Sequence, residues 1–231
     1  MSFAQNLAEV RSRIATACVA AGRDRATVRL LAVSKTMPVD RLREALAGGQ
    51  QAFGENYVQE ALAKISALSG ETIEWHHIGP IQSNKTADIA GHFQWAHGIE
   101  RLKIAQRLSD QRPPGLPPLQ VCVQVNVSGE SSKAGCVPDE ALALCQAVAA
   151  LPRLNLRGLM ALPAPVETNA DPREPFRRLR ELFERGRASG LALDTLSMGM
   201  SDDLEHAIAE GATLVRIGSA LFGARGGMPS L

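Results

Sequence analysis

Apolar residues at Phe3, Leu7, Val10, Ile14 and Cys18 recur at helical spacing and predict an amphipathic helix at the start of the chain. Beyond it the pattern changes. Short β-rich runs alternate with longer stretches of helical periodicity. Strands are predicted at 28–34, 51–55, 74–79, 93–98, 119–127, 154–162, 193–199 and 213–218. Helices are predicted between them at 38–48, 56–69, 82–91, 100–111, 138–151, 172–189 and 202–210. Pro38, Pro138 and Pro172 sit at or near three helix starts, where a missing N–H costs nothing. Gly48, Gly190 and Gly211 follow three helix ends, as C-terminal caps should.

Eight strands alternating with helices predict an α/β fold, a closed parallel (β/α)8 TIM barrel, carrying an extra N-terminal helix. Near-continuous apolar strands such as "LLAV" and "VCVQVNV" fit burial on both faces. The alternative, an open doubly wound sheet, lacks a G-x-G-x-x-G after the first strand. The Pro-rich stretch 112–118 reads as a barrel loop, because the alternation resumes unchanged after it. The expectation is therefore one domain over residues 1–231.

A formal net charge of +1 argues against a general nucleic-acid or acidic-membrane binder. No apolar run approaches a membrane span, and the N-terminus makes a poor signal peptide. Cys18, Cys122, Cys136 and Cys145 form no C-x-x-C and no zinc spacing with histidine. They read as buried small hydrophobes in a reducing cytoplasm, with a reactive thiol at Cys122 or Cys136 as the lesser alternative.

In such barrels the chemistry gathers where strands end. The predicted strand ends carry Ser34–Lys35–Thr36, Gly54–Glu55–Asn56, His76–His77, Asn126, Met160, "SMGMS" (197–201), Arg216 and Gly218–Ser219. Phosphate often binds on the loops after the seventh and eighth strands. Here "SMGMSDD" leads toward a helix with Ser201 as its expected N-cap, and Gly218 and Ser219 supply further donors. A lysine ending the first strand beside such a site points to a Schiff base, since desolvation favours the neutral, nucleophilic amine. Two ligands satisfy that pattern. One is the phosphorylated carbonyl substrate of a class I aldolase. The other is pyridoxal 5'-phosphate (PLP), for which Arg216 supplies a partner to the pyridine nitrogen.

The motifs "AVSKT", "FGENYVQE", "WHHIGPIQSNK", "GLMALP", "LSMGMSDDLEHAI" and "VRIGSALFG", in order from residue 32 to 223, resemble those of the pyridoxal phosphate homeostasis proteins, which are alanine racemase N-terminal domain-like. The resemblance implies a fold-type III PLP barrel with no second domain. It implies that Lys35 carries PLP as an internal aldimine and that Ser201, Gly218 and Ser219 hold the phosphate. Arg216 would face the pyridine nitrogen, and Asn56, His76 and Met160 would line the ring pocket. His77 replaces the usual phenylalanine of "WHFIG" and is expected to be structural. Met37 stands where many relatives carry a lysine or another polar residue. Lys133 falls in a loop that carries lysine in relatives, and a second, transfer-related PLP site is placed there.

Alanine racemase takes its second base, a tyrosine, from a further β-domain, whereas this chain ends at Leu231, and its single tyrosine is Tyr57. Arginine beside the pyridine nitrogen keeps that nitrogen unprotonated and weakens the ring as an electron sink. The expected function is PLP homeostasis: storage, buffering or delivery of the cofactor to apo-enzymes, by a cytoplasmic monomer with little or no turnover. The alternative is a weak single-domain racemase. Of the remaining candidates, His92 and His97 read as solvent-facing or satisfied core groups and His206 as a surface group. Gln82, Asn84 and Lys85 read either as anion contacts or as a plain cap. The arginine-rich 173–187 reads as a solvated helix face.

Overall fold

The computed structural model describes residues 2–130, 134–163 and 171–223. Eight parallel strands close into a barrel in sequence order: β1 (Arg29–Val33), β2 (Ala52–Glu55), β3 (Glu74–His77), β4 (Trp95–Ile99), β5 (Leu119–Gln124), β6 (Leu154–Met160), β7 (Thr195–Ser197) and β8 (Leu214–Ile217). Each lies within or within one residue of its predicted range. The helices follow: α1 (Phe3–Ala20), α2 (Val39–Ala47), α3 (Val58–Ala67), α4 (Thr86–His92), α5 (Leu102–Gln111), α6 (Pro138–Ala149), α7 (Glu174–Ala188), α8 (Leu204–Ala209) and the short α9 (Ser219–Phe222), which the periodicity had not announced.

Helix α1 buries Phe3, Leu7, Val10, Ile14 and Cys18, the face its spacing predicts, and opens with a Ser2–Gln5 capping box. The outward strand faces and the helices share the main core, with Ala32, Phe53, Trp75, Ala96 and Val121 among its members. Ala32 pairs with Phe53, Phe53 with Trp75 and Ala96 with Val121, and Ala96 also pairs with His77, two residues on from Trp75, so all five point the same way. The alternate positions therefore point into the barrel. There Leu31, Ile78 and Leu214 make one small cluster, and Trp95, Cys122 and Met160 another. Between β5 and β6 the register shifts at Arg157, whose guanidinium lies 5.1 Å over the Trp95 ring and pairs with Asp194. A Cβ at Gly158 would stand 1.7 Å from the Thr195 carbonyl oxygen, so this bend accepts only glycine.

The Pro-rich stretch is a barrel loop, as expected. Arg112, 4 % exposed, anchors it by donating to the carbonyls of Ala90, Phe93 and Pro117. Helix α7 exposes Arg178, Glu181, Glu184, Arg185 and Arg187, as its reading as a solvated face expects, but one edge of that face turns onto a buried carboxylate. Arg173, Arg177 and Arg180 lie 2.8, 3.8 and 3.2 Å from the buried carboxylate of Glu210, at the end of α8. Glu210→Ala leaves three cations without their shared acceptor and should lower unfolding free energy by about 2 kcal/mol, read from urea titration. An unchanged midpoint would mean that the arginines are held by water instead.

Candidate functional site

At the C-terminal mouth of the barrel lies a cavity of about 470 Å³ lined by Val33, Lys35, Thr36, Met37, Asn56, Ile78, Leu162, Met200, Ser201, Asp202, Arg216, Gly218, Ser219 and Gly223. Six of the eight residues expected at a binding site therefore share one cavity: Lys35, Asn56, Ser201, Arg216, Gly218 and Ser219.

Lys35 is half-buried in the turn after β1 and has no hydrogen bond or ion pair among the described residues. The turn itself is tightly held. Thr36 adopts φ 66°, unusual for a β-branched residue, and its N–H donates to Glu60 Oε1 at 2.5 Å. Beneath it lies a second lysine, which the sequence did not mark. Lys64 of α3, 4 % exposed, donates to the Ser34 carbonyl at 2.7 Å, to Glu55 Oε1 at 2.8 Å and to Glu60 Oε1 at 2.6 Å. The Ser34 hydroxyl donates to the same Glu55 oxygen at 2.5 Å. Burial pushes the Glu55 carboxyl up, and Lys64 opposes that. Glu55 thus holds Lys64 rather than Lys35. The two lysines divide the work: one is locked and fixes the backbone, and the other is left without a partner in the cavity.

The far side of the cavity is built from the turns after β7 and β8. Gly199 has φ +94°, and a Cβ there would stand 2.6 Å from the Ala207 Cβ, so the turn folds back onto α8 only with glycine. Ser201 is not the N-cap of that helix. Asp203 occupies the N-cap position without a side-chain cap hydrogen bond; its Oδ1 accepts instead from the Met200 N–H at 2.5 Å, across the turn that precedes α8. That turn delivers the Ser201 hydroxyl to within 3.2 Å of the Ser219 hydroxyl. Arg13 of α1 fixes it from behind, donating to the Ser201 carbonyl at 2.9 Å.

Arg216 is 3 % exposed. It donates to the carbonyl and hydroxyl of Ser197 at 2.6 and 2.7 Å and to the Ala161 carbonyl at 2.7 Å. Burial lowers its pKa to about 10, with Asp203 opposing at longer range.

His76 and Met160 are absent from the lining. Both are fully buried inside the barrel, one layer below the cavity. Ile78 and Leu162, two residues further along each segment, take the places at the cavity; the period of two along a strand puts them on the same face, nearer the mouth. Sequence reasoning picked the chemically conspicuous histidine over the isoleucine. His77 points outward, edge-on to Phe93 at 5.5 Å, and burial lowers its pKa to about 4, which fits its expected structural role. Met37 packs against the main core and also lines the cavity. Gln82, Asn84, Lys85 and Tyr57 do not line it, and Tyr57 is 60 % exposed. Lys133 lies outside the described residues. All four cysteines are free and buried, and burial raises the thiol pKa of Cys122, of Cys136 to about 11 and of Cys145 to about 12, which disfavours the reactive thiolate at these three. Among the described residues no cluster has metal-binding geometry, and no helix is long and apolar enough to cross a membrane.

The family model of the alanine racemase N-terminal domain matches residues 3–226. A pyridoxal phosphate homeostasis protein of Pseudomonas aeruginosa is 62 % identical over 97 % of this chain and 96 % of its own. The solved structure of PipY from Synechococcus elongatus with PLP bound is 34 % identical, with a TM-score of 0.84 over 96 % of this chain and 100 % of its own. Alanine racemase of Corynebacterium glutamicum shares the fold at 18 % identity, with a TM-score of 0.69 over 59 % of its length. The chain belongs to the alanine racemase N-terminal domain family and, within it, to the pyridoxal phosphate homeostasis proteins.

Proposed function

We propose that this protein holds PLP through the Lys35 amine and serves PLP homeostasis as a store and donor rather than as a catalyst. The observation that carries this reading is an unpaired lysine in one cavity with a buried arginine and a pair of serine hydroxyls. When bound, PLP supplies an aldehyde that condenses reversibly with a primary amine and a ring that absorbs visible light. The residues present fit that group. A volume of about 470 Å³ suits a compact phosphorylated aromatic. Ser201, Ser219 and the Gly218 backbone provide hydrogen-bond donors for a phosphate. Arg216, which only donates, suits an unprotonated ring nitrogen. Val33, Ile78, Leu162 and Met200 give apolar walls, with Asn56 beside them. The bound PLP of PipY and the name of the Pseudomonas relative support the reading.

Arg216 also supports restraint. An arginine leaves the ring nitrogen without a proton, and the ring then withdraws electrons poorly. Among the described residues the cavity lining has no tyrosine or histidine to act as a second base. Exchange of the cofactor, not chemistry on amino acids, follows. The acceptors in this reading are PLP-dependent apo-enzymes. The protein works as a cytoplasmic monomer that binds neither nucleic acid nor membrane; its four free thiols and the scatter of its exposed apolar side chains support this.

The test is a spectrophotometric PLP titration followed by incubation with L-alanine and other amino acids and chiral chromatography. We expect one PLP per chain and no enantiomer beyond that produced by free PLP. Sustained racemisation would make the protein a weak racemase, and failure to bind PLP would leave the aldolase reading.

A further inference from the structure

A line of polar side chains crosses the barrel interior from one mouth to the other. Arg216 donates to the Ser197 Oγ at 2.7 Å, Ser197 Oγ meets His97 Nδ1 at 2.9 Å, His97 Nε2 meets His76 Nδ1 at 2.9 Å, and His76 Nε2 meets Glu74 Oε1 at 2.7 Å. The residues come from β8, β7, β4 and β3. Ser197, His97 and His76 are all 0 % exposed. Glu74 emerges at the N-terminal mouth, where Arg29 donates to it at 2.6 Å. Trp95 stacks on His76 at 5.2 Å and closes the chain from the side.

The carboxylate end sets the direction. A carboxylate only accepts, so His76 carries its proton on Nε2. A neutral ring then has a bare Nδ1, which requires the proton of His97 on Nε2. His97 Nδ1 is left bare and must accept from the Ser197 hydroxyl. At the other end the guanidinium only donates, so Ser197 Oγ accepts from it and keeps its own proton for His97. Donation from Arg216 is compatible with the direction that the carboxylate sets. Burial lowers the pKa of both histidines, which keeps the rings neutral, and Glu74, although burial raises it, is brought to about 2 by His76 and Arg29.

We propose that Glu74, His76, His97 and Ser197 are positioning residues: a one-directional hydrogen-bond chain that holds Arg216 at the floor of the cavity and answers its charge from the opposite mouth of the barrel. Arg216 needs this because it has no ion-pair partner among the described residues. A buried cation without a carboxylate is costly, and the aligned dipoles of the chain deliver part of one from a distance. The chain also fixes which guanidinium nitrogens are spent on the protein, leaving the rest for the ligand. Its bearing on cofactor binding rests on the PLP reading above; its direction does not.

The experiment uses the full chain labelled with ¹⁵N and long-range ¹H–¹⁵N correlation of the histidine rings, which separates protonated from bare ring nitrogens. His76 and His97 are both expected as Nε2–H tautomers. Glu74→Leu, which removes the terminal acceptor, should release both rings into mixed tautomers, whereas Glu74→Gln, which keeps an acceptor, should restore them. Ser197→Ala should release His97 and weaken PLP binding about tenfold, the effect of a lost hydrogen bond to a charged group. A proton on Nδ1 of either ring in the wild type would overturn the chain. Unchanged ring signals and unchanged PLP affinity in Ser197→Ala would overturn its positioning role. If the wild type binds no PLP, the cofactor reading fails while the ring nitrogens still decide the chain.

Discussion

Lys35→Ala is expected to abolish covalent capture of PLP completely: no visible band on titration and nothing fixed to the protein by borohydride. The loss is chemical rather than steric. Only an unprotonated primary amine condenses with an aldehyde, and the chain has five lysines: Lys35, Lys64, Lys85, Lys103 and Lys133. Lys64 is sealed under the β1 turn with three oxygen partners. Lys85 and Lys103 lie outside the cavity. Among the described lysines Lys35 alone lines it, without a competing partner among the described residues. The serine hydroxyls, the Gly218 backbone and Arg216 remain in the variant, so weakened non-covalent binding should persist. Lys35→Arg is the informative control. It keeps the positive charge, but a guanidinium stays protonated and does not condense with the aldehyde, so it should fail as completely as alanine. A normal band in either variant would place the attachment elsewhere.

Lys64→Met is expected to be the most damaging single change at a residue that never touches the ligand. The substitution preserves much of the volume and removes the ammonium. Glu55 is then left buried with its charge uncompensated, and the Ser34 carbonyl loses its donor. Breaking one side of a buried pair costs about 3 kcal/mol, which urea unfolding monitored by circular dichroism will show. The double variant Lys64→Met/Glu55→Gln should recover part of that loss, since the stranded charge has gone. Recovery of stability need not restore the site. Ser34 and Glu60 still lose their tie, and Thr36 is no longer held at φ 66°. PLP affinity should therefore stay depressed in the double variant. A single variant as stable as the wild type would show that the buried cluster contributes nothing to the turn.

The barrel was legible because its strands are short apolar runs and its helices are amphipathic, two patterns that period alone separates. The mouth was legible in part. Lys35, Arg216 and the two serines stand at strand ends, where a barrel must place its chemistry. The details that failed depend on fractions of a turn or on partners far away in sequence. Ser201 misses the N-cap because residues 201–203 form a turn, spanned by the Met200 N–H on Asp203, and α8 begins only at Leu204. His76 sits one layer too deep for the cavity, a distinction that needs the register of neighbouring strands rather than the motif. Lys64 looks on paper like any helix lysine, and only folding brings Ser34, Glu55 and Glu60 around it. Likewise, nothing in the sequence near His97 announces Ser197, a hundred residues on. Glu210 was hidden in the same way, because the arginines that surround it belong to a helix whose charges read as solvent-facing.

The most direct test of the central claim is to treat the PLP-loaded protein with borohydride, digest it and locate the modified lysine by mass spectrometry. We expect a phosphopyridoxyl group on the peptide containing Lys35, at close to one per chain, with the other four lysines essentially unmodified. Modification spread over Lys85, Lys103 and Lys133, with Lys35 unlabelled, would contradict it.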